Sequence, residues 1–460
     1  MRFSLEEVAR AIGAELPAGQ TGRMAEGWSI DSRTLQGGDV FFALRGPHYD
    51  GHAYVAEVLR KGALAAVVRN EIAALDHAAD GAGRVLRVAD PQHALESLAA
   101  WARRQWRGQV VAVTGSAGKT TTKEIIAEML SVNMITAKSE GNLNNHIGLP
   151  LSLLRLPLAA KVAVLEMGMN HGGEIRQLAR IAAPDVGLVT NVGYAHLENF
   201  ASIEGVAAAK RELVEELPSG GTAVLNADDP LVARFRESHS KCVMYGTSPL
   251  ADVRGQDVEE TAEGSRFRVA DVEFATSLNG RHNVSNILAG IALAQVYGIA
   301  AGQLVETVRN LKPGKMRGER IIHDGICILN DSYNSNPEAV RAMLEVLHTT
   351  PATKRIAVLG EMLELGGESA ALHQQVGRYA AQCGVDVLIG VQGATREMLT
   401  SAKQAGVRET FYFDHSPEAG DFAKSLAVTG DAILFKGSRG TRVERALERF
   451  LASTRKGGQG

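Results

Sequence analysis

Cysteine is scarce: three residues in 460, Cys242, Cys327 and Cys383, with no CxxC pair and no metal-ligand spacing. A disulfide scaffold and a cysteine-held metal are thereby excluded, and a reducing, cytoplasmic compartment is expected. Long apolar runs are missing too. Val162–Leu165 stops at Glu166, and Val186–Val192 is interrupted by Thr190 and Asn191. Neither approaches the ~20 residues of a membrane span. Met1–Leu16 carries Glu6, Glu7 and Arg10 where a secretion signal needs its apolar centre. Charge of one sign is not in excess: 49 basic and 52 acidic residues leave a net −3, so nucleic acid is not an expected partner. The apolar share of 45% and charged share of 22% are those of globular proteins, which excludes disorder and collagen-like repeats. At roughly 100–200 residues per domain the length predicts about three domains.

What is present is a repeated alternation of strand, loop and helix. The first hundred residues read as mixed α/β, with a helix after Leu5, strands at Asp39–Leu44, Ala65–Val68 and Arg84–Val88, and a helix from Pro91 to Trp106. From Gln109 the strands become near-continuous apolar runs, Val110–Val113, Val162–Glu166, Val186–Asn191 and Thr222–Asn226. Such runs suit parallel strands covered on both faces. The long helix Arg281–Tyr297 and a charged Gly/Pro-containing linker, Lys312–Arg320, close this section. Five further strands alternate with helices to the C-terminus and predict a doubly wound domain. The expected domains are 1–107, 108–313 and 314–460, all in the α/β class: a mixed N-terminal domain, a central P-loop-type parallel sheet and a Rossmann-like C-terminal domain. The last residues, Lys456–Gly460, read as a frayed tail.

The strongest chemical signal is TGSAGKTTTKE at Thr114–Glu124. A buried strand enters a glycine turn and Lys-Thr opens a helix, whose N–H groups and dipole cradle phosphates. Thr114, Gly115, Ser116, Ala117 and Gly118 form the loop, Lys119 reaches the β/γ-phosphates, and Thr120 ligates Mg²⁺. Val113 stands where the longer GxxxxGK form needs glycine, so this is a shortened variant. Glu166 ends a strand about 50 residues on, the position that presents a carboxylate to the metal in P-loop enzymes; a turn-capping carboxylate would look the same. His196 follows another strand and falls on the same sheet edge, a candidate ligand or an ordinary loop histidine. Lys210, beside Arg211 in a helical stretch, reads from its residues as a solvated lysine. Asn142, Asn144 and Asn145 could hold a polar substrate or simply build a turn. Asp331 ends a strand where it could bond a ribose. Lys436, Ser438 and Arg439 lie between the last strand and a helix expected at Thr441–Leu451, a candidate anion site or a solvated basic turn.

Together these residues resemble the Mur ligases. The resemblance covers nearly the whole chain and rests on the phosphate loop, Glu166, His196, Lys210, the Arg281-His282-Asn283 segment, Arg317 and Asp331. It is closest to members that join D-alanyl-D-alanine to UDP-N-acetylmuramoyl-tripeptide, through Asp31-Ser32-Arg33, Gly38–Leu44, Gly141–Gly148, Glu166–Asn170, Asp331–Pro337 and Leu359–Met362. An Asp-Asn-Pro-Arg motif, typical of members that add diaminopimelate, is absent. The resemblance implies ATP and Mg²⁺, with Thr120 and Glu166 on one ion, and His196 and Lys210, the latter carbamylated, serving a second. It implies that Asn283, Arg317 and Asp331 contact adenine, phosphate and ribose, and that Ser32 and Arg33 hold the UDP-sugar. The implied partners are the two small-molecule substrates, acting on a monomer. Rival readings are a folylpolyglutamate synthase, which leaves the N-terminal domain unexplained, and a P-loop ATPase or kinase sharing residues 109–230.

Overall fold

The computed structural model describes residues 1–70, 82–261 and 263–452; the tail Lys456–Gly460 lies outside them. The fold is α/β and holds three sheets. The first is all parallel, in the order β1 (Gly27–Ser29), β2 (Asp39–Phe42), β3 (Ala65–Arg69), β4 (Val85–Val88). The helix Pro91–Gln105 follows it, started by Asp90, whose carboxylate accepts from the Gln92 N–H, and by Pro91 at the first helical position.

The second sheet contains β5 (Gln109–Thr114), β6 (Thr136–Lys138), β7 (Val162–Glu166), β8 (Val186–Val189), β9 (Thr222–Asn226), β10 (Cys242–Gly246), β11 (Val253–Thr261), β12 (Gly264–Val269) and β13 (Val272–Thr276). Their order is β13-β12-β11-β10-β9-β8-β5-β7-β6, parallel from β6 to β11 and antiparallel through β12 and β13. Along β5 the side chains alternate between two cores. Val110 and Ala112 join the layer that includes Leu98, Leu149 and Leu178; Val111 and Val113 join the layer of helices Lys119–Leu130 and Arg281–Val296. The β11–β13 meander went unread in the sequence because β11 is rich in polar residues and only Val253 and Gly255 of it are buried.

The third sheet contains β14 (Glu319–His323), β15 (Ile326–Asp331), β16 (Arg355–Gly360), β17 (Val387–Val391), β18 (Glu409–Phe413) and β19 (Ala432–Lys436), ordered β14-β15-β19-β16-β17-β18. Five strands are parallel, as the alternation predicts; the sixth, β14, is an antiparallel edge built from the end of the charged linker. Helix Thr395–Gln404 was not anticipated, and the final helix begins at Glu444 rather than Thr441, after a short 3₁₀ turn at Arg439–Thr441. Among the described residues no helix is long and apolar enough to cross a membrane.

Candidate active site

The carboxyl ends of β5, β7 and β8 meet the amino-terminal end of helix Arg281–Val296 and the loop after β15 around one cleft of about 480 Å³. The loop after β5 bends through Gly115 and Gly118, both at positive φ, and a Cβ on Gly118 would sit 2.7 Å from Asn286 Oδ1. Glycine is therefore required there both by backbone conformation and by close approach. Helix Lys119–Leu130 opens directly after it with no side-chain cap, so its first N–H groups face the cleft. Lys119 Nζ donates to the Gly115 carbonyl at 2.8 Å. Burial pushes its pKa down and the Arg317 cation adds to this, while Glu166 opposes. Two cations on one small volume mark a place prepared for polyanionic phosphate.

Glu166, at the end of β7, is 2% exposed and accepts hydrogen bonds from Thr120 Oγ1 at 2.7 Å and Asn144 Nδ2 at 2.8 Å. Among the described residues no group of three or more His, Cys, Asp or Glu side chains converges on a metal site. The Thr120 hydroxyl and one carboxylate are hard oxygen donors in contact. They fit an ion such as Mg²⁺ that takes its remaining ligands from phosphate and water. The opposite wall comes from the third sheet and the connection leading into it: Arg317 lies 3.9 Å over the Tyr333 ring, and Asp331 accepts from Lys436 Nζ, which also donates to the Asn334 carbonyl at 2.9 Å. His282 and Asn283 complete the lining between them.

Residues 25–105 match the Mur ligase family catalytic domain, 113–294 the Mur ligase middle domain and 316–439 the Mur ligase glutamate ligase domain. The chain belongs to the Mur ligase family. It is 34% identical, over 93% of each chain, to UDP-N-acetylmuramoyl-tripeptide–D-alanyl-D-alanine ligase of Bacillus subtilis (strain 168). The crystal structure of MurF from Acinetobacter baumannii matches with a TM-score of 0.89 at 29% identity, covering 98% of this chain and 99% of that one. MurF ligase from Thermotoga maritima in complex with ADP matches at 0.83 and 29%, covering 93% and 97%.

In this Mur ligase the residues singled out from sequence fall into three groups. Thr120, Glu166, Lys119, Asn142, Asn144, Asn145, His196, Asn283, Arg317, Asp331 and Lys436 all line the cleft. Asn145 spends its side-chain oxygen on the N–H groups of Ile147 and Gly148, so part of the asparagine cluster is structural. His196 adopts a left-handed backbone (φ 61) and its Nδ1 lies 2.5 Å from Glu364 Oε2, at ion-pair distance but outside hydrogen-bond alignment.

Lys210 differs most from its reading as a solvated lysine. It is 2% exposed, and among the described residues it has no hydrogen-bond or ion-pair partner; Arg211 carries the surface role through Glu215. Burial, with Lys119 adding a like charge, drives its pKa well below the ordinary lysine value.

The third group lies outside the cleft. Arg33 is exposed and forked onto Asp31, and the Ser32 carbonyl accepts from Lys61. Ser438 is buried, bonding the Leu363 N–H and the Ser335 carbonyl; Arg439 pairs with Glu444 at 3.1 Å. Because the last helix starts only at Glu444, Lys436–Arg439 does not form the helix-start anion site expected from the sequence. Asn286 and Tyr333 were missed as lining residues; Asn286 had a signal, since it stands one helical turn after Asn283.

Proposed function

We propose that this chain is the ATP-dependent ligase that joins D-alanyl-D-alanine to UDP-N-acetylmuramoyl-tripeptide, a cytoplasmic step in building the peptidoglycan precursor. The observation that carries the reading is the cleft itself. A phosphate loop with Lys119, a Thr120–Glu166 oxygen pair and a second wall bearing Arg317 and Asp331 share one volume, in a chain whose relatives bear that ligase's name.

The residues support an acyl-phosphate route. The N–H groups of the loop and the Lys119 and Arg317 cations hold the triphosphate, while Asp331, kept in place by Lys436, accepts from the ribose and Asn283 meets adenine. The tripeptide carboxylate attacks the γ-phosphorus, ADP leaves, and the acyl phosphate forms. The amine of D-alanyl-D-alanine then attacks the acyl carbon, and phosphate departs from the tetrahedral adduct. Both nucleophile and phosphate are anionic in the first step, so the two cations lower the repulsion between them. Mg²⁺ on Thr120 and Glu166, with a second ion on His196 and a carbamylated Lys210, would supply further charge neutralisation. Carbamylation by CO₂ requires an unpaired, uncharged amine, and burial beside Lys119 shifts Lys210 toward that form. Ser32 and Arg33, in the turn after β1, take the UDP-sugar end. Arg439, at the rim outside the cleft and without help from a helix start, would take the dipeptide carboxylate in exchange for Glu444.

The test is an amine-acceptor screen with ATP and UDP-N-acetylmuramoyl-tripeptide. Amide product and sustained ADP release should require D-alanyl-D-alanine, and Lys119→Ala should abolish both while the protein stays folded. ADP release indifferent to any acceptor would instead favour a simple ATPase.

A further inference from the structure

The loop after β8, which carries His196, is held by three different parts of the chain. Val192 N–H donates to Asp229 Oδ2 at 2.8 Å. Gly193 is bonded from both sides by the phosphate-loop serine: its N–H donates to Ser116 Oγ at 2.8 Å, and its carbonyl accepts from the same hydroxyl at 3.0 Å. Tyr194 N–H has its acceptor on another sheet's layer. It is shared between Glu338 Oε1 and Oε2, at 3.3 Å each. Glu338 sits in the first turn of helix Pro337–Thr349, two residues after Asn336, whose amide reaches the Ser116 carbonyl at 3.5 Å.

We propose that Glu338 is a positioning residue for ligation: its carboxylate crosses from the third sheet's layer to seat the Val192–His196 loop against the phosphate loop. The inference rests on the ligase reading above. Of the three N–H groups, those of Val192 and Gly193 are satisfied within the central sheet's own layer, whereas that of Tyr194 depends on the third. The loop that presents His196 is thus complete only when the third sheet is docked. Gly193 is part of the same device. A Cβ there would lie 2.6 Å from Glu338 Cδ, and its backbone is not in the left-handed region. Alanine at this position therefore displaces the carboxylate rather than straining the loop.

The test reads hydrogen exchange at the peptide containing Tyr194 together with steady-state kinetics. Glu338→Ala should raise exchange at residues 192–196 and lower kcat, each on the order of 10-fold, with the KM for UDP-tripeptide little changed. Glu338→Gln, whose amide oxygen still accepts the bond, should stay close to wild type. Gly193→Ala should reproduce the Glu338→Ala effect, and the double variant should be no worse than Glu338→Ala alone, because both remove one contact. Unchanged exchange in Glu338→Ala, a glutamine variant as impaired as the alanine one, additive losses in the double variant, or exchange raised throughout helix Pro337–Thr349 would each overturn the proposal. Should Glu338→Ala not fold, Gly193→Ala and Glu338→Gln carry the same test. Exchange is measured without substrate, so a wild-type protein that makes no amide product sinks the ligase reading and leaves the Glu338 result to stand by itself.

Discussion

Lys210 is a buried amine with a cation for a neighbour and no acceptor. Its pKa is depressed in the fold, so between that lowered value and the ordinary one the unfolded chain binds a proton the folded chain releases. Stability therefore rises with pH across that window, and at neutral pH the lysine is a net cost to the fold. Lys210→Met should raise the melting temperature in CO₂-free buffer, by about 1–4 kcal/mol of stability if it behaves like other buried ionic groups exchanged for apolar ones, and should be inactive in ligation. Lys210→Ala should regain some activity from short carboxylic acids, which replace the carbamate oxygens, whereas Lys210→Arg should not. A fully active arginine variant, or a methionine variant that melts lower than wild type, would remove Lys210 from the mechanism. Such a stabilising but inactivating change is the signature of a residue kept for chemistry rather than for the fold.

At the scale of elements, helix Pro91–Gln105 decides how the first sheet is attached. Its inner face buries Leu95, Leu98, Ala99 and Ala102 in a core shared with the central sheet, and its last turn carries Arg103. That guanidinium donates to the carbonyls of Ala182 and Ala183 at 2.8 and 3.1 Å, and to Asp185 Oδ2 at 3.0 Å, with the side chain 11% exposed. It thereby satisfies the C-terminal carbonyls of helix Glu174–Ala182, which have no partner within that helix. Removing it takes a donor from four carbonyls, those of Trp106 and Gly108 included, and leaves the half-exposed Asp185 carboxylate with the Val110 N–H. Arg103→Ala should therefore cost about 1.5–3 kcal/mol, read as a lower denaturation midpoint with the KM for ATP unchanged. Lysine should rescue poorly, since one ammonium does not reproduce the fork. A midpoint within error of wild type would show that apolar packing alone holds the helix.

Over the whole molecule the two inter-sheet junctions differ at their edges. One apolar core, with Arg103 beside it, joins the first and second sheets and runs on into the third layer through residues such as Met343 and Leu365. The cleft side of the second and third meets through polar contacts: Asn336 with Ser116, Glu338 with Tyr194, Glu364 with His196, and the Glu364 carbonyl with the Glu198 N–H. Junctions of that polar kind open and close more readily than cores do. The connection, Lys312–Gly318, contains Met316 and Gly318 at positive φ and no helix or strand, as a hinge segment should. Solution scattering should accordingly show a smaller radius of gyration with nucleotide plus UDP-tripeptide than without. Superimposable profiles would mean that the third sheet does not move in the cycle.

How much was legible in the sequence follows from the range of the forces involved. The buried strands of the central sheet, the phosphate loop and the five parallel strands of the third sheet were readable because apolar runs and glycine turns are local signals. The candidate residues at the ends of β5 and β7 could be placed on one sheet edge because parallel strands align their carboxyl ends. Other features depended on partners far away in the chain. Polar β11 became a strand because β10 and β12 offered it hydrogen bonds, and β14 arose from a linker for want of another partner on the edge of β15. Lys436 turned inward to Asp331, 105 residues distant, instead of forming a surface anion site. The burial of Lys210 and the reach of Glu338 to Tyr194 likewise exist only once the layers pack. Residue type and local pattern determined the sheets and the phosphate loop; which charges are paired, unpaired or buried was decided by tertiary structure, because desolvation depends on everything that surrounds a group and not on its neighbours in sequence.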